Sequence, residues 1–576
     1  MTKFLVGLLT GVLLTVLTAA IAIFSLARFG GEKRPPSVAS NSVLMLQLEG
    51  EIPERAPVEF PLPIFEQQAS STVHDIWDIL RKAAADSRIK AVVIQPRDLA
   101  VGWAKLQEIR GELEQFRKSG KPLVAYLKTP GMREYYLATA ADSIFIGPEE
   151  MLDMKGLRAE LMFLRKTLDK IGVQVEIEHA GKYKDFGDTF TRESMSPETR
   201  EVLNSVLDDI YGHVLATIGG ARRKSAEQVR AILDQGPFLA KQARTHGLVD
   251  RLIYEDEMLA DLKKRLNTND LPKISHRDYA RIPAGSLDLE GKSRIAMVVA
   301  EGAITRGSTT GDGEDGIEAE SFNKLLDKVA KDDSIKAVVV RIDSPGGESF
   351  ASDEIWRRMN LLSKKKPTVI SMSDLAASGG YYMALTGDPI LAYPATFTGS
   401  IGVVFGKATL RGLYEKLGIS KDLLTRGRFA DIDSDYKPLT PEARVKLREG
   451  IDSTYQSFVS RVAEARKRKY EEVEPLAQGR VWLGSQAKQR GLVDELGGLD
   501  RAIELVKEKA KIPKDDKGVI VMYPPKRSVF DLLFSRSPEA TLESRLGSIV
   551  NLKASIIRLW TTGGLMRIMP YQVDVR

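Results

Sequence analysis

The sequence predicts an α/β protein that is duplicated in tandem and preceded by one N-terminal membrane-spanning helix. Short landmark sequences return about 246 residues later along the 576-residue chain. Within each copy, short β-branched strands alternate with helical patterns, which is typical of βα units around a largely parallel sheet. A chain of this length has room for several domains. Together these observations predict two copies of one α/β unit.

The N-terminal segment predicts the membrane helix. Residues 4–27 form a run of 24 residues without a charge, and a bilayer span needs about 20. A secretory signal is the alternative, but its candidate cleavage site, Ala20-Ile21-Ala22, lies inside the apolar run. We therefore expect an uncleaved anchor. One basic residue, Lys3, precedes the run and three follow it, so the positive-inside rule alone places the bulk of the chain in the cytoplasm.

Composition excludes several classes of chemistry. The chain has no cysteine, which rules out disulfides, thiol catalysis and cysteine-ligated metals. Its net charge is only +6 and its basic residues are dispersed, so nothing supports nucleic-acid binding. An Asp- and Gly-rich segment at 307–316 has calcium-loop composition but lacks the EF-hand spacing. We predict no metal and no cofactor.

The internal repeat is visible in landmarks that recur at a nearly constant offset, as expected of a duplicated unit. The paired landmarks are 89–94 with 335–340, Lys121-Pro122 with Lys366-Pro367, 135–138 with 381–384, Ser196-Pro197-Glu198 with Thr440-Pro441-Glu442, and 247–250 with 491–494. The Ser-Pro and Thr-Pro landmarks each predict a helix start with an N-cap hydroxyl and proline at the first turn. Chance does not produce so many matches at one offset.

These landmarks define the predicted domain organisation. Residues 1–41 form an anchor and linker, 42–266 the N-terminal copy, 267–291 a second linker and 292–510 the C-terminal copy. Residues 511–576 form a tail for which no repeat partner is evident past Lys511. Within this tail, residues 541–562 have the pattern of an amphipathic, net-basic helix, which either packs on the body or touches membrane.

A serine in a glycine-rich turn is the first candidate for chemistry. Ser378-Gly379-Gly380 follows an apolar, β-branched run and precedes a helical pattern. A serine at such a turn lies near the positive end of the helix dipole, and the glycines leave backbone N–H groups free to face an anion. This arrangement suits a nucleophile beside an oxyanion site. A plain βα turn has the same composition, so the pattern alone does not decide.

Comparison of the two copies strengthens the hypothesis. At the offset of 246, Ser378-Gly379-Gly380 aligns with Met132-Arg133-Glu134, and Ser344-Pro345-Gly346-Gly347 aligns with Asp98-Leu99-Ala100-Val101. Both glycine-rich turns are therefore confined to the C-terminal copy. The second turn follows a predicted strand and is a candidate for the other N–H of an oxyanion hole.

The general base is the remaining requirement for a serine nucleophile. All five histidines lie outside the copy that holds Ser378, although a triad is spatial and the sequence does not exclude one. The alternative base is a lysine kept neutral by burial, which lowers a lysine pKa by several units. Lys184 is the candidate, because the aligned residue of the other copy is Ala430.

These residues together resemble the protease IV, or signal peptide peptidase A, family in its long, duplicated form. The resemblance covers about residues 42–509. It rests on four motifs: Ala377-Ser378-Gly379-Gly380-Tyr381, Asp343-Ser344-Pro345-Gly346-Gly347, Gly181-Lys182-Tyr183-Lys184 and Thr398-Gly399-Ser400-Ile401-Gly402. The resemblance implies two Clp-protease/crotonase-like domains.

The resemblance also implies residue roles. Ser378 corresponds to the nucleophile of a Ser-Lys dyad, Lys184 to its general base and Ser400 to the residue that orients the lysine. The oxyanion donors correspond to the N–H groups of Gly347 and Gly379, with Gly346 shaping the turn. One active site is then assembled from both copies.

A function and location follow from the same resemblance. The family consists of membrane-anchored serine endopeptidases that degrade remnant signal peptides, as homotetramers on the periplasmic side of the bacterial inner membrane. This contradicts the positive-inside prediction, and we favour the family topology since the charge bias rests on few residues. Two rival functions remain: a crotonase-type acyl-CoA enzyme using the same oxyanion site, and a non-catalytic membrane scaffold.

Overall fold

The computed structural model describes residues 36–56, 70–307, 316–525 and 564–569, with Val575 and six isolated positions near the N-terminus. The predicted tail helix at 541–562 and nearly all of the segment considered as a calcium loop lie outside these residues. So does most of the predicted anchor at 4–27. Among the described residues, no helix has the length and apolarity that crossing a membrane requires.

The strands are numbered in chain order. They are β1 Ser42–Gly50, β2 Ile89–Leu99, β3 Leu123–Leu127, β4 Ser143–Ile146, β5 Met151–Leu152, β6 Gln174–Ala180, β7 Phe238–Leu239, β8 Arg251–Leu252, β9 Lys273–Ser275, β10 Arg294–Glu301, β11 Ala303–Thr305, β12 Gly316–Glu318, β13 Ile335–Ser344, β14 Gly346–Glu348, β15 Thr368–Ala377, β16 Ile390–Ala392, β17 Phe397–Gly399, β18 Val403–Thr409, β19 Val481–Leu483, β20 Glu495–Leu496, β21 Val519–Tyr523 and β22 Leu565–Ile568.

The α-helices among the described residues are numbered in the same way. They are α1 Val73–Ala85, α2 Trp103–Arg117, α3 Met132–Ala138, α4 Arg165–Ile171, α5 Asp188–Thr191, α6 Pro197–Arg222, α7 Ala226–Leu233, α8 Ala240–Thr245, α9 Glu255–Arg265, α10 His276–Ala280, α11 Ala319–Lys331, α12 Ser349–Ser363, α13 Gly379–Met383, α14 Arg411–Lys416, α15 Pro441–Ala465, α16 Tyr470–Val473, α17 Gly484–Gln489 and α18 Leu499–Lys509.

Each copy is built around its own largely parallel sheet. The first has the order β8-β4-β3-β2-β1-β9, and the second has β19-β17-β15-β13-β10-β21 with β16 and β20 attached beside β15. The central strands are nearly continuous apolar runs with most side chains buried, as in sheets covered on both faces. The predicted duplicated α/β architecture is confirmed.

The ends of the two copies correct the sequence prediction. Strand β9, within the predicted linker, pairs in parallel with β1, and β21, within the predicted tail, pairs in parallel with β10. The two strands therefore occupy equivalent edges of their sheets. The prediction that nothing past Lys511 has a repeat partner is wrong, because β21 is the counterpart of β9 in the second sheet.

Two long helices begin where the sequence predicts. Ser196 caps α6 by accepting the N–H of Thr199, and Thr440 caps α15 by accepting the N–H of Ala443. Proline at the first helical position of each has no N–H to leave unsatisfied. The predicted N-caps are thus confirmed in both copies.

A third sheet crosses between the copies. Its order is β12-β11-β14-β22-β18-β6, and β6 comes from the N-terminal copy. Strand β6 pairs antiparallel with β18, with Ala180 opposite Val403 and Gln174 opposite Thr409. This register brings the end of β6 next to the start of β18. Lys184, which follows β6, and Ser400, which precedes β18, are thereby brought close together.

A buried group of charges also joins the copies. Arg341, fully buried on β13, donates through Nε to Glu54 Oε2 at 3.0 Å and also binds Glu108. Lys105 Nζ lies 2.7 Å from Asp343 Oδ2. Glu54, Lys105 and Glu108 belong to the first copy, whereas Arg341 and Asp343 belong to the second. We call these five residues the interface charge cluster.

Candidate functional site

Three predicted site residues meet between the copies. Lys184 Nζ lies 2.9 Å from Ser378 Oγ, 2.8 Å from Ser400 Oγ and 2.9 Å from the Ser400 carbonyl oxygen. All three side chains are fully buried. Since Ser400 offers two acceptors, it can hold both N–H bonds of a neutral amine and leave the lone pair directed at the Ser378 hydroxyl.

The backbone at Ser378 is held in a strained conformation. Its φ of 54° and ψ of −112° lie in a region that non-glycine residues rarely adopt. The residue connects β15 to α13, donates its N–H to the Gly399 carbonyl at 2.8 Å and accepts the N–H of Tyr382 at 2.8 Å. The predicted strand-to-helix turn is present, and these bonds hold the backbone that carries the hydroxyl.

Lys184 is positioned by contacts across the two copies. It follows β6, whose register with β18 brings it toward Ser400. The N–H of Tyr183 donates to the Gln478 carbonyl at 2.7 Å. A Cβ on Gly479 would lie 2.7 Å from Lys184 Cβ, so only glycine permits this approach. Gln478 and Gly479 were not identified from the sequence as part of the site. Neither residue belongs to a motif that distinguishes the two copies, so the sequence offered no signal for them.

Burial is the main electrostatic influence on Lys184. It lowers the pKa of the lysine amine well below its usual value, and the positive charge of Arg567 lowers it further. Both influences, burial and the charge of Arg567, lower the pKa, so the neutral amine is favoured. A neutral amine beside a serine hydroxyl can accept its proton.

This shift makes a pH prediction. With Lys184 as the predicted general base, only its neutral form could take the hydroxyl proton, so kcat/KM of the predicted reaction is expected to rise with pH and level off above the pKa of Lys184. The plateau should begin well below pH 10.5, the ordinary lysine value. The measurement is a pH–rate profile in constant ionic strength, with circular dichroism at each pH to verify folding. A rate that rises as the pH falls would contradict the assignment.

The predicted oxyanion residues lie in two turns that approach closely. Gly346 has a φ of 90°, and a Cβ there would lie 2.5 Å from Gly379 N. A Cβ on Gly347 would lie 2.0 Å from the Ile304 carbonyl oxygen. The Ser344 hydroxyl accepts the N–H of Gly346 at 3.1 Å and steadies the first turn. The structure therefore brings Gly346, Gly347 and Gly379 together beside Ser378.

Histidine was the other candidate for the general base of Ser378. The side chain that the structure brings to Ser378 Oγ is the Lys184 amine. His213 on α6, in contrast, lies 3.1 Å from the hydroxyl of Tyr136 on α3, in the N-terminal copy. The possibility of a histidine triad, left open by the sequence, has no support in this geometry.

The chain is similar to known peptidases. The family model of Peptidase family S49 matches residues 115–269 and 360–513. "Serine protease SPPA, chloroplastic" of Arabidopsis thaliana is 37% identical over 506 residues, covering 86% of this chain and 73% of that protein. "Protease 4" of Salmonella typhi is 32% identical over 499 residues, covering 82% and 79% respectively.

A buried serine beside a buried amine, in a chain whose relatives are named as proteases, is the arrangement of a serine peptidase. The chain belongs to peptidase family S49, whose model matches once in each half. The resemblance predicted from the motifs is confirmed. Among solved structures, ClpP1 from Listeria monocytogenes covers 35% of this chain and 91% of that chain at 18% identity and a TM-score of 0.21. A score this low carries no argument, so the Clp-protease/crotonase-like fold remains a prediction.

Proposed function

We propose that the protein is a membrane-anchored serine endopeptidase that hydrolyses peptide bonds with a Ser378–Lys184 dyad. One observation carries the proposal: a fully buried lysine amine with a lowered pKa lies 2.9 Å from a serine hydroxyl. A solvated lysine at pH 7 is charged and has no lone pair for a proton. The burial of Lys184 favours the neutral amine, which has the lone pair that a general base needs.

In the first step, neutral Lys184 takes the proton of Ser378 as Oγ attacks the carbonyl carbon of the peptide. The C=O bond becomes a C–O⁻ single bond, and the N–H groups of Gly347 and Gly379 stabilise this oxyanion. Each donor in a comparable site contributes about 3–4 kcal/mol. When the tetrahedral intermediate collapses, the C–N bond breaks and the Lys184 ammonium gives its proton to the leaving amine.

In the second step, water hydrolyses the acyl-enzyme. Lys184, neutral again, takes a proton from the water as its oxygen attacks the ester carbon. The ester C–O bond then breaks, and the proton returns to Ser378 Oγ. Throughout, Ser400 holds the amine in place, so we assign it a positioning role. Residues from both copies take part, which accounts for the split of serine and lysine between them.

The substrates we propose are remnant signal peptides released from preproteins, hydrolysed by a homotetramer on the periplasmic side of the bacterial inner membrane. Support comes from the family membership and from the apolar surroundings of the site, where Phe186 and Val404 belong to one buried cluster. The uncharged run at 4–27 supports the anchor.

The orientation of the anchor is tested with a cysteine introduced at Ser37, since the chain has no native thiol. A membrane-impermeant maleimide is expected to label this cysteine in spheroplasts. Protection of the cysteine in intact, folded protein would contradict the periplasmic location.

The peptidase proposal is tested by a serine-directed probe. A fluorophosphonate is expected to label the wild-type protein at one site, identified as Ser378 by peptide mass spectrometry, because the dyad activates only that hydroxyl. Hydrolysis of an apolar signal-like peptide should disappear in proportion to labelling. Absence of labelling would favour a scaffold, and a thermal shift with acyl-CoA but not with peptides would favour the crotonase alternative.

A further inference from the structure

The chain's own strand β22 lies in the active-site groove. It pairs antiparallel with β14, which carries Gly346 and Gly347, and antiparallel with β18, which follows Ser400. In the pairing with β14, Gly347 is opposite Arg567. An extended peptide inserted between two strands gains main-chain hydrogen bonds on both sides. The groove thus holds a peptide segment in the described structure.

The register places one carbonyl at the oxyanion site. Met569 N donates to the Pro345 carbonyl at 2.8 Å, and hydrogen-bonded pairs alternate along an antiparallel ladder, so Gly347 and Arg567 form the next such pair. A Cβ on Gly346 would lie 2.1 Å from the Arg567 carbonyl oxygen, and a Cβ on Gly379 would lie 3.0 Å from it. The Arg567 carbonyl therefore lies where a reacting carbonyl would be held.

The Arg567 side chain fills a pocket, and only 3% of the residue is exposed. Its guanidinium carbon lies 3.7 Å from the centroid of the Tyr382 ring and 5.2 Å from that of Phe458. Nη1 donates to the Ser349 carbonyl at 3.2 Å. The Tyr382 hydroxyl donates to Asp353 Oδ1 at 2.6 Å, which fixes the ring under the guanidinium.

The corresponding place in the other copy is built differently in the part of the chain that the structure describes. At the offset of 246, Ser349 aligns with Trp103 and Tyr382 aligns with Tyr136. The Trp103 and Tyr136 rings meet edge to face with centroids 5.6 Å apart, so the indole occupies the space that Ser349 leaves open. Among the residues that the structure describes, the pocket therefore belongs to the copy that carries Ser378.

We propose that this pocket selects arginine as the residue immediately before the scissile bond, and that Arg567 shows the bound pose of such a substrate. The proposal rests on the proposed peptidase function and names its substrate class. A desolvated guanidinium over an aromatic face is bound favourably, by enough to raise the affinity about 10-fold or more. Asp353 adds an opposite charge nearby while Arg461 adds a like one. The contacts that would favour arginine are therefore the stacking over Tyr382 and the hydrogen bond to the Ser349 carbonyl.

The flanking residues add an apolar requirement. Side chains alternate faces along a strand, and Met566 and Ile568 are buried against Phe186 and Val404 in one cluster. A substrate with arginine in the pocket would therefore carry apolar residues on both sides. Such a peptide resembles the chain's own sequence Leu565-Met566-Arg567-Ile568.

The test compares fluorogenic peptides Leu-Met-X-Ile with arginine, lysine, leucine or phenylalanine at X, using the full-length protein. We expect kcat/KM for arginine to exceed that for leucine by about 10-fold or more. Lysine should be intermediate because it lacks the planar guanidinium. Equal or faster cleavage with leucine or phenylalanine overturns the arginine pocket and leaves the peptidase function standing. No cleavage of any of the peptides overturns both.

Variants of the pocket sharpen the result. Ser349→Trp, which installs the residue of the other copy, is expected to lose most of the arginine-to-leucine preference, and Asp353→Asn should lower it by a smaller factor. The matched control is Asp327→Asn, an exposed aspartate on α11, which should keep the full preference. Arg567→Ala is expected to lower KM for the arginine peptide, since the internal strand then competes less. A preference unchanged in Ser349→Trp, with a wild-type melting temperature, would overturn the proposal.

Discussion

Ser378→Ala and Lys184→Ala are each expected to lower kcat/KM for peptide hydrolysis by about 10⁴- to 10⁶-fold, the range found when a serine peptidase loses its nucleophile or base. Removal of the hydroxyl eliminates the attacking atom, and removal of the amine leaves the hydroxyl without a proton acceptor. Both changes shorten a fully buried side chain, so folding must be verified by circular dichroism and thermal melting. The rates are measured with a fluorogenic peptide.

The pattern among the variants distinguishes chemistry from packing. The double variant should be no slower than either single one, since the two groups act as a unit. Lys184→Met keeps the volume but has no lone pair, so it should be as inactive as alanine. Lys324→Ala, at an exposed lysine on α11, is the control and should retain full activity. A folded Lys184→Met variant with substantial activity would contradict the dyad.

Arg341→Met is expected to destabilise the protein by about 3–5 kcal/mol, the cost of breaking a buried ion pair from one side. The change leaves Glu54 and Glu108 buried without the guanidinium that now binds both. Burial alone would raise the pKa of Glu54, but the charges of Arg341 and Lys105 lower it to about 2. In the variant this carboxylate would lose its principal stabilising charge.

Urea unfolding at pH 7 measures the loss. The triple variant Arg341→Met, Glu54→Gln, Glu108→Gln should recover much of it, because no uncompensated carboxylate remains. In the wild type, the contribution of Glu54 is complete above its unfolded pKa, near 4.5, and is lost as the pH falls toward 2. If Arg341→Met unfolded at the same urea concentration as the wild type, the interface charge cluster would have no role in joining the copies.

The sequence predicts the fold to the extent that the chain repeats itself. The two sheets, the capped helices and the candidates Ser378 and Lys184 follow from comparison of the two copies, whereas Ser400 came from the family resemblance alone. Local strand and helix signals are enough for each unit, since they reflect side-chain periodicity. Differences between aligned positions indicated the site, because a lost serine or lysine is visible without coordinates.

The remainder depends on contacts between distant segments that have no repeat partner. Strand β22 belongs to a tail with no aligned counterpart, so neither its place between β14 and β18 nor the pocket of Arg567 was predictable. Arg341 and Glu54 read as ordinary charged residues, since only the packing of the copies removes them from water. Strand β21 has the apolar, β-branched composition of a strand, but its pairing with β10 depends on a distant segment of the chain.

The pairing of β6 with β18 has a consequence for the synthesis of the chain on the ribosome. A ribosome delivers Lys184 long before Ser378, which is 194 residues further on, and β18 emerges later still. A half-made chain therefore carries a lysine without its serine, or a serine turn without the strand that aligns the lysine. If Ser378 and Lys184 form the proposed dyad, the nascent chain would acquire peptidase activity only after its second copy has folded onto its first.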